Sequence, residues 1–203
     1  LENNGVYVHN SPKKLEKTVD KVRTTGILTI NNILTPNTKV TFKSPLKIRG
    51  KTNYLLKPIF GSQGKNIILI NNLDKLYKTN AIGNVYYLQE FIGNINDKEF
   101  WDIRVLVSNH KPISVMKRTS KQIFTNAYQG ASTEKLTFNK ELSSLTRRVS
   151  KLFELGYGGI DIKVFKKKFY VLEVNSIPSW KAIQNIEDRD ISEILVNDFL
   201  NNI

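Results

Sequence analysis

The chain has 203 residues, 40% of them hydrophobic, so it is long enough and apolar enough to bury a sizeable core. It has no cysteine and only two histidines, which excludes disulfides and thiolate metal sites and argues against a histidine-built zinc site. We see neither an apolar run long enough to span a membrane nor a signal peptide, and we therefore expect a cytoplasmic protein with no membrane partner.

The formal net charge of +13 raises one alternative, a basic nucleic-acid-binding protein. Most of the basic residues are lysines, and they are scattered along the chain. A nucleic-acid footprint is expected to cluster on one face. Nucleic acid is therefore not the expected partner, although this class stays open as an alternative.

The first predicted elements are helical. Ser11 is expected to cap a helix whose first turn contains Pro12, because serine accepts from orphan N–H groups and proline suits the first helical position. Asp20 and Lys21 are expected to lie within this helix. Residues 26–32 predict a second helical piece.

A glycine hairpin is predicted next. Residues 54–70 predict two strands joined by a tight loop at 60–64. Gly61 and Gly64 would let backbone N–H groups turn toward an anion, and Lys57 would add positive charge to the same phosphates. Taken alone, such a hairpin is most often only a turn.

The rest of the chain alternates between apolar patterns of strand and helix type. In chain order we predict a short helix at 72–80, strands at 84–92, 102–107 and 112–118, a polar loop at 119–134, an amphipathic helix at 139–155 and a final helix from a capping box at 190–193 through Leu200.

A metal site is predicted on the strand that contains Glu173 and Asn175. Because side chains alternate across a strand, these two residues point to one face. A hairpin through 166–168 would lay the segment containing Asp161 antiparallel beside them. Two carboxylates and an amide suit Mg²⁺, with Mn²⁺ as a second candidate.

Taken together and in this order, the motifs resemble the ATP-grasp superfamily, and within it the RimK-type α-L-glutamate ligases and related amino-acid ligases. The resemblance covers nearly the whole chain. The motifs that carry it are Asp20-Lys21, Leu56-Lys57-Pro58 with 60–64, Gln89-Glu90-Phe91-Ile92, Asp102-Ile103-Arg104, Lys117-Arg118, Thr125-Asn126, Gly159-Ile160-Asp161-Ile162 and Glu173-Val174-Asn175.

The resemblance implies an α+β ATP-grasp fold of two lobes, each a largely antiparallel sheet with helices, with the nucleotide between them. We expect leading helices at 1–36, a small lobe with the glycine loop at 37–88, and a C-terminal lobe with the metal site at 89–203. Such ligases have a preceding substrate domain. The chain begins at Leu1 and its only methionine is Met116, so we expect it to be a fragment that lacks that domain.

The resemblance also implies roles for individual residues. Arg104 and Arg118 match the catalytic cations that face the reacting acyl group, and Asp161, Glu173 and Asn175 match the metal ligands. The implied nucleotide-binding residues are Lys21, Lys57, Gly61, Ser62, Gln63, Gly64, Gln89, Glu90, Phe91, Asp102 and Asn126, with Glu90 and Phe91 acting mainly through backbone groups.

The implied activity is ATP- and Mg²⁺-dependent ligation of a carboxylate to an amine through an acyl phosphate. The substrates would be ATP, a small-molecule or peptide carboxylate, and an amino acid such as L-glutamate. An ATP-binding pseudoenzyme is a second alternative, and homo-oligomerisation is left open.

Overall fold

The computed structural model describes residues 1–42, 53–61, 64–126 and 130–203. The helices are α1 (Pro12–Val19), α2 (Lys21–Ile30), α3 (Leu73–Lys78), α4 (Lys140–Leu152), α5 (Lys181–Gln184) and α6 (Ile191–Leu200). The strands are β1 (Thr38–Thr41), β2 (Tyr54–Lys57), β3 (Ile68–Ile70), β4 (Tyr86–Glu90), β5 (Phe100–Ser108), β6 (Lys111–Ser120), β7 (Ser132–Lys135), β8 (Tyr157–Phe165) and β9 (Lys168–Asn175).

The strands form two antiparallel sheets, which confirms the predicted α+β class. The small sheet has the order β1-β4-β2-β3, and the large sheet has the order β7-β6-β5-β8-β9. No helix in the described part of the chain is long and apolar enough to cross a bilayer.

The two faces of the small sheet have different surroundings. Leu56 and Leu88 are fully buried in a cluster with Leu76 of α3. Side chains alternate along a strand, so Tyr87 and Gln89 of β4 point away from this cluster. Strand β4 ends at Glu90, two residues beyond the expected end of the small lobe. The division into lobes stays a prediction.

The large sheet is built in the same way. Val105, Ile160 and Val174 belong to a buried cluster that α2 and α4 cover, the latter through Val149 and through Phe153 just after its last residue. The opposite face carries charged residues on β5, β6, β8 and β9. The fold therefore places a row of charged side chains on a rigid sheet with an apolar core behind it.

The hairpin predicted to place the metal-ligand candidates is confirmed. Strands β8 and β9 pair antiparallel, and Asp161 lies directly opposite Glu173. Lys166 and Lys167 form the turn with φ angles of 48° and 61°. The outer edge of β9 is covered by the segment after α2, because the N–H of Val171 donates to the carbonyl of Leu34 at 2.8 Å.

Two expectations about the first helices were wrong. Asp20 does not lie inside a helix: α1 ends at Val19, and the Asp20 carboxylate accepts from the N–H groups of Val22 and Arg23 to start α2. Aspartate is a strong capping residue, so it starts a new helix here. Ser11 is at the N-cap of α1, but its hydroxyl makes no capping bond.

Two elements of the C-terminal half were missed. Residues 132–134, expected to be loop, belong to β7, which pairs with β6 from Met116 to Thr119. The segment is too polar to show strand periodicity, and only the neighbouring edge makes it extended. The short helix α5 was also not predicted. It packs against β6 through Ile183 in a cluster with Met116.

Candidate active site

A cleft lies between the two sheets, and residues of both line it. Lys57 comes from β2, Gln89 from the end of β4, and Asp102 from β5. Phe91 lies in the link between the sheets. The full lining is Leu55, Lys57, Gln89, Glu90, Phe91, Ile92, Phe100, Trp101, Asp102, Ile123, Thr125, Lys163 and Leu172. Five of the expected nucleotide-binding residues therefore meet here, namely Lys57, Gln89, Glu90, Phe91 and Asp102.

Lys57 is the cation at the small-sheet side of this cleft. Its ammonium donates to Oε1 of Gln89 at 2.6 Å. Burial lowers the pKa of Lys57, while the negative charge of Glu173 opposes that shift. Desolvation penalises a lone charge, so this site favours an anionic ligand that restores the lost interaction.

Lys21 reaches the metal candidates from the other side. It is the first residue of α2, and its ammonium donates to the carbonyl of Gly61 at 2.7 Å. The same ammonium lies 3.6 Å from Oε1 of Glu173. Gly61 and Gly64 have φ angles of 144° and 67°, a region that glycine adopts readily.

Ser62 and Gln63 of the predicted glycine loop lie outside the described residues.

The expected hinge lies where β4 leaves the small sheet. The N–H of Glu90 donates to the carbonyl of Asn37, and the N–H of Phe91 donates to the carbonyl of Asn53, both at 2.8 Å. The ring of Phe91 meets Phe100 edge to face at 6.1 Å. The two N–H groups of the hinge are therefore already bonded within the protein.

Two arginines and two aspartates form a charged ladder across β6, β5 and β8. Arg118 grips Asp102 through Nε and Nη2 at 2.7 and 2.5 Å, and its Nη2 also lies 3.2 Å from Asp161. Arg104 grips Asp161 with two bonds of 2.7 Å. Register explains the pattern, because Asp102 faces Arg118 and Arg104 faces Asp161 on neighbouring strands.

The ladder is largely shielded from water. The side chain of Arg118 is 3% exposed, that of Asp161 8% and that of Arg104 20%. Burial works against the charge of Arg118, but Asp161 and Asp102 outweigh it and raise the pKa of Arg118. Burial also works against the charge of Asp161, yet Arg104 and Arg118 hold the pKa of Asp161 well below its usual range. Arg118 and Asp161 are therefore both ionised at neutral pH.

The predicted metal ligands lie on adjacent strands. Asp161 faces Glu173, and Asn175 lies opposite Gly159. The Asn175 side chain has a buried Nδ2 that makes no hydrogen bond within the described structure. Rotating this amide by half a turn would present its oxygen to the same space, so Glu173 and Asn175 fit a cation that prefers oxygen ligands.

The described residues contain no cluster of three or more His, Cys, Asp or Glu side chains able to hold a metal ion. The candidate ligands Asp161, Glu173 and Asn175 do not form such a cluster, because only two of the three are carboxylates. One of those carboxylates, Asp161, is engaged by both arginines. The remaining oxygen ligands of a magnesium ion would have to come from water or phosphate, as is usual for this ion.

Thr125 and Asn126 follow strand β6 at the rim of the cleft. The hydroxyl of Thr125 donates to Oδ2 of Asp102 at 2.7 Å. Asn126 is half-buried beside it. The segment therefore adds one hydrogen bond to the carboxylate that Arg118 already holds.

Lys163 is a cleft residue that the sequence reasoning missed. Its ammonium donates to the carbonyl of Trp101 at 2.6 Å and lies 5.0 Å from the centre of the Trp101 ring. Burial lowers the pKa of Lys163, with Asp102 opposing. The signal was present, because Lys163 is two residues after Asp161 on β8 and so points to the same face.

The fold defines an ATP-grasp protein. The ATP-grasp ligase PsnB, solved with a minimal precursor, matches with a TM-score of 0.75 and 20% identity over 98% of this chain. The same ligase with minimal precursor, Mg and ADP matches with a TM-score of 0.72 and 20% identity over 97% of this chain. The chain spans 65% and 64% of those two PsnB chains. The predicted ATP-grasp fold is confirmed.

The chain belongs to the RimK-like ATP-grasp domain family, whose model matches residues 18–198. The tetrahydromethanopterin:alpha-L-glutamate ligase of Methanococcus maripaludis is 32% identical over 98% of this chain and 70% of its own length. The alpha-aminoadipate–LysW ligase LysX of Saccharolobus solfataricus is 30% identical over 97% of this chain and 75% of its own length. The predicted ligase family is confirmed.

Proposed function

We propose that the chain is the nucleotide-binding part of an ATP- and Mg²⁺-dependent carboxylate–amine ligase. It would activate a carboxylate as an acyl phosphate and pass the acyl group to an amine. The observation that carries this proposal is the convergence of Lys57, Gln89 and Asp102 from two different sheets on one cleft. These residues are far apart in sequence, and a nucleotide bound in the cleft would explain why they lie together.

Binding of the nucleotide is proposed to follow the shape of this cleft. The apolar side chains of Leu55, Phe91 and Leu172 suit the faces of a purine ring. Lys57 and Lys21 would contact phosphate oxygens. Phosphoryl transfer needs mainly charge neutralisation and alignment, so lysines and arginines can supply most of the protein's contribution.

Glu173, Asn175 and Asp161 are the residues that would hold Mg²⁺, and Mn²⁺ has the same preference for oxygen donors. Bound there, the metal would neutralise phosphate oxygens. The support is the buried amide nitrogen of Asn175, which makes no hydrogen bond within the described structure, together with the partly exposed carboxylate of Glu173 on the same strand.

The arginines of the ladder are proposed to serve the reacting acyl group. Arg104 is the more exposed of the two, so it would be the one to meet an anionic oxygen. Arg118, whose Nη2 lies 3.2 Å from Asp161, would add its positive charge to the site and keep that carboxylate ionised. In a site shielded from water, such fixed charges stabilise developing negative charge strongly.

The acceptor and amine are proposed from the relatives. One relative is named as an alpha-L-glutamate ligase for tetrahydromethanopterin, and another as a ligase joining alpha-aminoadipate and LysW. We therefore propose that an amino acid such as L-glutamate is the amine, and that the acceptor is a small-molecule or peptide carboxylate.

The test begins with ATP binding measured by calorimetry with and without Mg²⁺. The chain is compared with the double variant Glu173→Ala, Asn175→Ala. A matched control, Glu193→Ala, Asn197→Ala, removes the same two side-chain types from the exposed surface of α6. We expect Mg²⁺-dependent binding in the parent and the control and its loss in the site variant. A folded parent that does not bind ATP contradicts the proposal.

Release of ADP separates a ligase from an ATP-binding pseudoenzyme. The chain is incubated with ATP, Mg²⁺, L-glutamate and a panel of carboxylates that includes peptides and pterin-type compounds. A ligase is expected to release ADP with at least one carboxylate and to release less when Arg104→Ala is introduced. Binding without ADP release from any pair favours the pseudoenzyme.

A further inference from the structure

A chain of hydrogen bonds runs from helix α2 to Lys57. Lys57 donates to Oε1 of Gln89 at 2.6 Å, and Nε2 of Gln89 donates to the hydroxyl of Tyr87 at 3.3 Å. That hydroxyl lies 2.7 Å from Oγ1 of Thr25 on α2. Gln89 and Tyr87 are both 1% exposed. The chain is therefore shielded from water along most of its length.

The first two links in this chain have one sensible direction, whereas either oxygen can donate between Tyr87 and Thr25. An ammonium only donates, so the amide oxygen of Gln89 must face Lys57 and its NH₂ must face Tyr87. Because the Tyr87 oxygen accepts from Gln89, its proton is available for Thr25. Reversing the amide would set two donors against each other. The ammonium of Lys57 therefore sets which way the Gln89 amide faces, and the hydroxyl of Tyr87 anchors that amide by accepting from its NH₂ group.

These hydrogen bonds oppose the electrostatic attraction between Lys57 and Glu173. Glu173 is the carboxylate that most raises the pKa of Lys57, yet no described carboxylate lies within ion-pair distance of the Lys57 ammonium. The bond to Gln89 holds the ammonium on the small-sheet side of the cleft. A lysine stem has several rotatable bonds, so without an acceptor there the ammonium would be free to move toward Glu173.

We infer that Gln89, Tyr87 and Thr25 are positioning residues that hold the Lys57 ammonium in place for the phosphates of the bound nucleotide. This inference rests on the proposed function. It gives the side chain of Gln89 a task other than contact with the base. The hydrogen bonds also connect Lys57 to α2, the helix that begins with Lys21. The positions of both proposed phosphate-binding lysines would therefore depend on this helix.

The test is Tyr87→Phe, which removes one hydroxyl and keeps the ring. The matched control is Tyr86→Phe on the same strand, whose hydroxyl points to the other face and donates to the carbonyl of Thr79. Binding of ATP and of adenosine is measured by calorimetry with Mg²⁺. Adenosine has no phosphates, so its affinity should fall if the pocket as a whole is damaged but should not depend on the position of the Lys57 ammonium.

We expect Tyr87→Phe to weaken ATP binding about three- to ten-fold, the range of one or more lost hydrogen bonds, and to leave adenosine binding within about two-fold. Tyr86→Phe should leave the ratio of the two affinities unchanged. In a Lys57→Met background, Tyr87→Phe should have no further effect on ATP. Thr25→Val tests the far end of the chain and should lower the same ratio by a smaller factor.

Three results overturn the inference while the proposed function stands. They are unchanged ATP binding by Tyr87→Phe, an equal loss for ATP and adenosine, and an undiminished loss in the Lys57→Met background. If Tyr87→Phe does not fold, the same criteria apply to Thr25→Val. If the folded parent binds no ATP with Mg²⁺, the proposed function and the inference fail together.

Discussion

Replacing Arg118 by methionine tests the charged ladder most directly. The change removes two bonds to Asp102, of 2.7 and 2.5 Å, and the 3.2 Å contact with Asp161. Asp161 keeps its two bonds to Arg104. Asp102, with a side chain only 7% exposed, keeps the hydrogen bond from the hydroxyl of Thr125. The variant therefore buries a carboxylate without its counter-ion.

The expected cost is about 3–5 kcal/mol of unfolding free energy, the usual effect of breaking a buried ion pair. Domains have about 5–15 kcal/mol in total, so the loss is a large share. A protein of this size should melt lower by roughly 2–4 °C for each kcal/mol. Urea unfolding followed by tryptophan fluorescence measures the change, because Trp101 lies beside Asp102 on β5.

Lys117→Met is the matched control. It removes a cation from the opposite face of the same strand, where Lys117 pairs with the largely exposed Glu134. A surface pair of this kind contributes about 0–1 kcal/mol. Adding Asp102→Asn to Arg118→Met should recover part of the loss, since no uncompensated charge remains. Equal costs for Arg118→Met and Lys117→Met would refute the reasoning.

Three further outcomes are expected. Because the pKa of Asp161 is depressed in the folded chain, it contributes stability above its unfolded value of about 4, and urea unfolding at a series of pH values should show this contribution being lost as the pH falls below about 5. Replacing Lys166-Lys167 by Asn-Gly should stabilise the chain by about 1 kcal/mol in thermal unfolding, because both residues have positive φ; no gain would contradict this account of the turn. Gly159→Ala should cost about 1–3 kcal/mol in urea unfolding, because its Cβ would lie 2.9 Å from Cβ of Pro178, and an unchanged midpoint would show that the loop yields freely.

The sequence was most informative where local pattern decides structure. Alternation along β9 placed Glu173 and Asn175 on one face, and the basic turn after β8 paired the two strands, with a register shift between Asp161 and Ile162 bringing Asp161 opposite Glu173. Both features depend on residues close together in the chain. The hairpin could therefore be predicted without knowledge of the rest of the fold.

The ladder could not be predicted in the same way. The pairing of Asp102 with Arg118 depends on the register of β5 and β6, which includes an irregularity between Leu106 and Val107. The pairing of Arg104 with Asp161 joins strands that are separated in the chain by β6, β7 and α4. Both arginines were expected at a reacting group, and the structure shows them bound to carboxylates of the protein. Their roles, like the other site assignments, remain proposals.

The covered edge of β9 has a consequence for how the chain avoids self-association. An uncovered strand edge offers unpaired N–H and C=O groups to a neighbouring molecule. Here the N–H of Val171 donates to the carbonyl of Leu34, and the hydroxyl of Thr35 donates to the carbonyl of Val171. The segment that joins α2 to the small sheet thus also shields a strand that contains two metal-ligand candidates. If this segment came loose, the edge of β9 could pair with a strand of another molecule. The same event that starts aggregation would then also disturb the strand that contains Glu173 and Asn175.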